Sequence, residues 1–361
     1  MKKIFLALAA VAALAACSKT EYDEDLKEIS LVAVPQNITK AMITGESMPR
    51  TDLFNVWAWY KQLDPTTSIA EWQADGTDNQ WYVEEKPFGY RHATNNWGGV
   101  TPYYWPKLGS LLFAGYYPVD IKNSVEYFFT ATDNRMVFNN IPQSEVNDID
   151  EDEFTEDIMY FNMTGVSSAA GPVSVIFRHA LSWITVNVKK SEGSPKIVID
   201  EIKFTEVDSK GTGTVYNSVD DNEIKWVTED NNDETVFGTD VELQESATKL
   251  VEPLFIPQTM NGKIVITYTI YSSPTEYFTE TYTADLNSFK EKDSATTLTK
   301  WEPAKHYTYN IEIGTSEIFI RPTVAKWDEV VVPVDDLKQP AQSEDTDDTE
   351  NTEDPEEGEG F

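Results

Sequence analysis

Lys263-Ile264-Val265-Ile266-Thr267-Tyr268-Thr269-Ile270 is the stretch that sets the fold class. Ile264, Ile266, Tyr268 and Ile270 fall on one face of an extended chain; Lys263, Val265, Thr267 and Thr269 fall on the other. Successive side chains of a strand point to opposite faces, so this period of two, written in β-branched and aromatic residues, predicts a half-buried strand. The spacing recurs at Tyr307, Tyr309, Ile311 and Ile313, alternating with Thr308, Asn310 and Glu312. Working outward, strands are also predicted at 29–34, 53–60, 80–85, 111–117, 173–177, 181–188, 197–204, 277–283, 318–324 and 330–334. Turn clusters such as Asp75-Gly76-Thr77-Asp78-Asn79 and Asp208-Ser209-Lys210-Gly211 lie between them. No long stretch carries a helical period, and no repeat has a fixed length. Many strands without crossover helices predict an all-β chain of antiparallel sandwiches.

The length of 361 residues predicts two such domains. Their joint is expected at the small-residue stretch Val166-Ser167-Ser168-Ala169-Ala170-Gly171-Pro172. With 62 acidic and 28 basic residues the net charge is −34, a field that repels phosphate backbones and argues against nucleic-acid partners. Carboxylates crowd the stretch from Glu344 to Phe361, which contains no base, and residues 337–361 are predicted to be a disordered acidic tail. The 40% hydrophobic content, with ten tryptophans, is ample for a core elsewhere.

A single cysteine excludes disulfides within the chain and Cys-based zinc sites. The three histidines are His92, His179 and His306. His179 has no nucleophile elbow or metal motif around it and is read as structural. Asp148, Asp150 and Asp152 imitate the start of a calcium loop, but Glu153 stands where the turn needs Gly and Met159 where a bidentate Glu belongs. That acidic loop is read as solvated. No catalytic residue, metal ligand or cofactor is predicted. Trp57 and Trp59 share one strand face and could stack sugars, but core packing is the favoured reading.

The N-terminus carries an address. Met1-Lys2-Lys3 precedes the apolar run Ile4 to Ala16, too short for a membrane span of about 20 residues and suited to a signal peptide. The run closes on Leu14-Ala15-Ala16-Cys17, which resembles the lipobox of bacterial lipoproteins. That resemblance implies cleavage of residues 1–16 and acylation of Cys17, with palmitate-type chains anchoring the protein in the outer membrane. Residues 17–27 form an acidic tether. The stretch Ser18 to Asp25 is either a flexible spacer or similar to the surface-export signal of Bacteroidales-type lipoproteins.

A succession of local signatures follows. Trp97 precedes Tyr103-Tyr104-Trp105-Pro106 and Leu112-Phe113-Ala114-Gly115-Tyr116-Tyr117-Pro118. Then come Asp157-Ile158-Met159-Tyr160 and Val173-Ser174-Val175-Ile176-Phe177-Arg178-His179-Ala180-Leu181-Ser182-Trp183-Ile184. Lys305-His306-Tyr307-Thr308-Tyr309-Asn310-Ile311 and Thr323-Val324-Ala325-Lys326-Trp327 stand near the end. Their order resembles the fimbrillin family, the Mfa-like type V pilins of Bacteroidales.

The resemblance implies two transthyretin-like antiparallel β-sandwich domains, 28–168 and 169–336, in a surface lipoprotein. It implies a pilus structural, tip or accessory subunit that serves adhesion, with other pilin subunits as partners through strand exchange. It also implies a host or bacterial surface ligand. Residues 28–34 would be the first strand, removed by a protease cutting after Lys40 or Arg50 and replaced by a neighbour's strand. Asp293-Ser294-Ala295 resembles the O-glycan acceptor of this bacterial group, at Ser294. One departure is the acidic tail, since polymerising members end shortly after the Trp-containing strand. The alternative reading is a non-polymerising, glycan-binding surface lipoprotein.

Overall fold

The computed structural model of the chain describes residues 27–35, 48–61, 80–130, 133–143, 157–162, 171–216, 223–229, 233–290, 297–314 and 318–326. These residues contain twenty strands and two short 3₁₀ turns, so the chain is all-β. Seven strands close into a barrel. Their order around it is β1 (Ser30–Pro35), β4 (Asn96–Gly99), β3 (Gln80–Arg91), β2 (Leu53–Lys61), β5 (Ser110–Tyr117), β8 (Met159–Asn162) and β9 (Val173–His179). A four-stranded sheet of β13 (Ile224–Thr228), β12 (Lys210–Tyr216), β7 (Asn134–Pro142) and β6 (Val125–Phe129) packs on the outside of its β2–β5 wall.

The remaining strands build a two-sheet sandwich. One sheet runs β15 (Thr248–Val251), β10 (Ser182–Lys190), β19 (Lys305–Ile313), β20 (Ile318–Lys326), with β16 (Leu254–Phe255) also on β10. The facing sheet runs β14 (Asp233–Glu242), β11 (Lys196–Val207), β17 (Lys263–Tyr271), β18 (Tyr277–Asp285). Its core is aliphatic and aromatic: Ile199, Phe204, Ile264, Ile266, Trp301, Tyr307 and Tyr309 all lie in it, Trp301 Nε1 donating to Tyr309 Oη at 3.0 Å. The alternation that opened the sequence reading is realised in β17, whose Ile264, Ile266, Tyr268 and Ile270 are the core-facing residues.

Strands β2 and β5 read as continuous apolar runs because both of their faces are covered. Phe54, Val56 and Ala58 point into the barrel, while Trp57 and Trp59 point into the layer against β6 and β7. Tyr127 lies against both tryptophans, at centroid distances of 5.4 and 4.4 Å. Two hydrogen bonds stitch that outer sheet to its neighbours: Ile224 N donates to Tyr160 Oη at 3.0 Å, and Trp226 Nε1 to the Ala180 carbonyl at 2.8 Å.

The expectation of purely antiparallel sheets is corrected at two places. β1 runs parallel to β9, and β10 runs parallel to β19 from Trp183↔His306 to Lys190↔Ile313. A period of two is the same in both kinds of ladder, so side-chain alternation carries no information on strand direction. Pairing also crosses the expected joint between residues 168 and 169, since β1 pairs with β9 and β7 with β12. The first core therefore borrows strands from both sides of that joint. Lys210 and Gly211, read as part of a turn, begin β12, with glycines at 211 and 213 that admit the close packing of Ile256, Ile224 and Trp226.

Gly115 of β5 sits where a Cβ would lie 2.4 Å from the Asn55 carbonyl oxygen and 2.3 Å from the Phe161 ring. The first contact is backbone and cannot rotate away. Gly115→Ala should therefore cost about 1–3 kcal/mol, as overpacking does. Urea unfolding should show it as a lower midpoint at an unchanged slope.

Candidate functional site

The candidate site is the seat of the first strand, which closes the barrel between β4 and β9. Ile29 and Leu31 are fully buried and Ala33 is 4% exposed, while Val32 on the opposite face is 36% exposed. The inward residues join Val173, Val175 and Phe177 of β9 in one core. Its floor is aromatic: Phe177 lies 5.0 Å from Phe54 and 4.9 Å from Phe161, and Phe54 lies 5.0 Å from Trp97, ring centre to ring centre. β1 pairs with β9 from Leu31↔Val173 to Pro35↔Phe177, but with β4 only at Ser30↔Gly98 and Leu31↔Trp97. Just before it, Ile29 N donates to the Tyr103 carbonyl and Trp105 N to the Lys27 carbonyl. The Glu28 carboxylate meets Arg91 Nη2 at 2.7 Å, and that guanidinium nitrogen also donates to the Gly99 carbonyl at 2.6 Å.

An empty seat would be costly. Truncating a buried Ile or Leu costs about 2–5 kcal/mol, and β1 brings two such side chains together with its backbone pairings. The whole margin of a folded domain is about 5–15 kcal/mol. A barrel stripped of β1 therefore unfolds, aggregates, or accepts another strand in its place.

Of the expected processing residues, Arg50 lies among the described residues and Lys40 outside them. Arg50 is exposed in a turn closed by Asp52 N on the Pro49 carbonyl, its guanidinium 4.8 Å above the Tyr90 ring. Two residues earlier, Met48 is buried in the barrel core. A cut after Arg50 would thus remove Met48 with β1, whereas a cut after Lys40 would leave it. Cys17, Ser294 and the acidic loop with Asp148, Asp150 and Asp152 lie outside the described residues.

The histidines fall in three environments. His92 is exposed, edge-on to Tyr90. His179, at the end of β9, is buried and its Nδ1 donates to Asp157 Oδ2 at 2.6 Å. That pair fastens the start of β8 to the end of β1's parallel partner. Sequence reading missed it because the partners lie 22 residues apart without a recognisable spacing. His306 stacks flat on Trp183 at 3.6 Å, and its Nε2 meets the Thr185 hydroxyl at 2.9 Å. Trp57 and Trp59 are buried, at 4% and 0% exposure, and present no platform to a sugar. Among the described residues no group of three or more His, Cys, Asp or Glu could hold a metal ion.

A family model described as fimbrillin-like matches residues 39–327. No curated protein matches. Among solved structures, a fimbrial protein from Bacteroides vulgatus shares 15% identity, with a TM-score of 0.56 over 82% of this chain and 99% of its own. The fimbrial anchor protein Mfa2 from Porphyromonas gingivalis shares 11% identity, with a TM-score of 0.39 over 84% of this chain and 98% of its own.

Burial, reinforced by the nearby Lys249 charge, pulls the His306 pKa from 6.5 down to about 3. The unfolded chain therefore takes up a proton near pH 6.5 that the folded chain refuses until about pH 3. The contribution of the neutral ring is complete above pH 6.5 and is lost as the pH falls through that window, at up to about 1.4 kcal/mol per unit. Denaturant midpoints of the wild type and of His306→Gln, measured from pH 7 to pH 4, should converge as the pH falls.

Proposed function

Because the chain belongs to the fimbrillin-like family, we propose that it is a cell-surface pilus subunit or accessory adhesin whose first strand plugs its own acceptor seat. The observation that carries this reading is the first-strand segment: Ile29, Leu31 and Ala33 are turned inward, and β1 pairs in parallel with β9 over five residues but with β4 only at Ser30 and Leu31. It is followed by a basic stretch that offers cleavage after Lys40 or Arg50. The protein is exported as a lipoprotein on Cys17 and held at the outer membrane. Once the leading segment is cut away, a strand from another subunit fills the vacated seat by pairing with β9 and presenting side chains at the positions of Ile29, Leu31 and Ala33. The acidic tail suits a subunit whose C-terminal end stays solvated, at a tip or on an accessory branch. The burial of Trp57 and Trp59 removes the main support for the rival glycan-platform reading.

Two measurements test this. Cys17→Ser should abolish incorporation of labelled fatty acid and release the protein from the membrane fraction; retained label would end the lipoprotein claim. Limited trypsin digestion, followed by size-exclusion chromatography, should convert the monomer into oligomers or aggregate as the leading segment is lost. A stable, trimmed monomer would refute strand exchange at this seat.

A further inference from the structure

The side chain of Arg91 reaches past its own strand. From β3 it crosses β4 over Gly98, where an added Cβ would lie 2.3 Å from Arg91 Nε and 3.0 Å from its Cδ. Beyond β4 its Nη2 meets the Glu28 carboxylate at 2.7 Å. Gly98 pairs with Ser30, so this crossing lies beside the start of β1. Both side chains are 35% exposed, yet Glu28 Oε1 itself is sealed from solvent. A carboxylate oxygen shut off from water needs a charged partner, and the guanidinium supplies it.

Only one half of this contact would leave with β1. Arg91, the passage over Gly98 and the Gly99 carbonyl all belong to the barrel, and Nη2 donates to that carbonyl at 2.6 Å. The cation is therefore held in place before any strand arrives, and a preorganised group loses little freedom on binding.

Alternation alone does not define how a strand sits on β9. A slip of one residue turns the apolar set to the wrong face, but a slip of two restores it. Ile29, Leu31 and Ala33 are all apolar and inward, so their pattern fits registers two residues apart. A charge contact at one end tells these registers apart. We propose that Arg91 is a specificity residue of the seat. It selects a strand of another subunit whose carboxylate stands one residue ahead of its first inward apolar side chain. The pattern is the one from Glu28 to Ala33: acid, apolar, any, apolar, any, small. Over most of a chain with a net charge of −34, an incoming carboxylate is repelled; here it meets a fixed cation. This rests on the reading that another strand takes the seat, and it states which strand.

The test is a competition for the seat in the full chain. A recognition site for a sequence-specific endoprotease is built into residues 38–44. The chain is then cut in an excess of three equimolar peptides spanning residues 27–35, with Glu, Gln or Lys at position 28. Mass spectrometry of the protein fraction from size-exclusion chromatography reads which peptides have entered. The Glu peptide should exceed the Gln peptide about fivefold, the span of a partly exposed ion pair, and the Lys peptide by more. The preference should shrink in about 1 M salt, where the screening length is about 3 Å. Arg91→Glu should invert the order. Gly98→Ala keeps the charge but pushes the side chain off its track, and should abolish the preference. If either variant does not fold, the wild-type ranking and its salt dependence decide. Equal entry of the three peptides would overturn the role of Arg91 and leave strand exchange standing. Entry of none would refute the exchange itself, and this proposal with it.

Discussion

The backbone of β9 has one partner in β8, at Met159↔His179 and Tyr160↔Arg178, and needs another along the rest of its length. β1 supplies it, in parallel, from Leu31 to Pro35. Buried donors and acceptors without partners are expensive, and so is an apolar slot open to water, so the same short strand answers both demands. Much of the first core follows from that placement. Phe177, Phe161, Phe54 and Trp97 can interlock around one point because Ile29 and Leu31 roof them. The pairing is lopsided: five residues on β9, two on β4. Such a strand is held chiefly by its buried side chains and one ladder.

The second half of the molecule is held differently. Its sandwich core is built from long strands paired across most of their length, and β11, β17 and β19 each have neighbours on both sides. Polar side chains on the outward face of β10 and β19 are satisfied by one another: Thr185 with His306, Asn187 with Asn310, Lys189 with Glu312. Keeping His306 neutral is part of that arrangement, since a buried imidazolium beside Lys249 would add like charge in a poorly solvated place. The residue sets of the barrel core and the sandwich core are separate, so the seat of β1 belongs to the barrel core and not to the sandwich.

Period-two alternation made the all-β class legible at once; strands covered on one face, such as β17, were placed closely because water leaves a polar imprint on their outer residues, and β19 alternates as clearly although its polar His306, Thr308 and Asn310 are buried. The strands missed entirely were β4, β6, β7, β8 and β12 through β16. They are short, or interrupted by Gly and Asn, as in Lys210-Gly211-Thr212-Gly213-Thr214-Val215-Tyr216. Their residues become a strand only when neighbours supply ladders and cover. The candidate seat was half legible: an apolar alternating segment could be seen near the start of the chain, but not what it fits.

By itself the sequence determined strand content, the acidic charge and the order of family signatures, because each is a property of local residue types. Tertiary structure alone decided that β1 lies parallel to β9, that β7 pairs with β12 across the expected joint, and that Asp157 reaches His179. The physical reason is common to all three. Side-chain alternation records only whether a residue faces core or water, and is blind to strand direction and partner. Those are chosen by which pairings close the backbone ladders and fill the cores together.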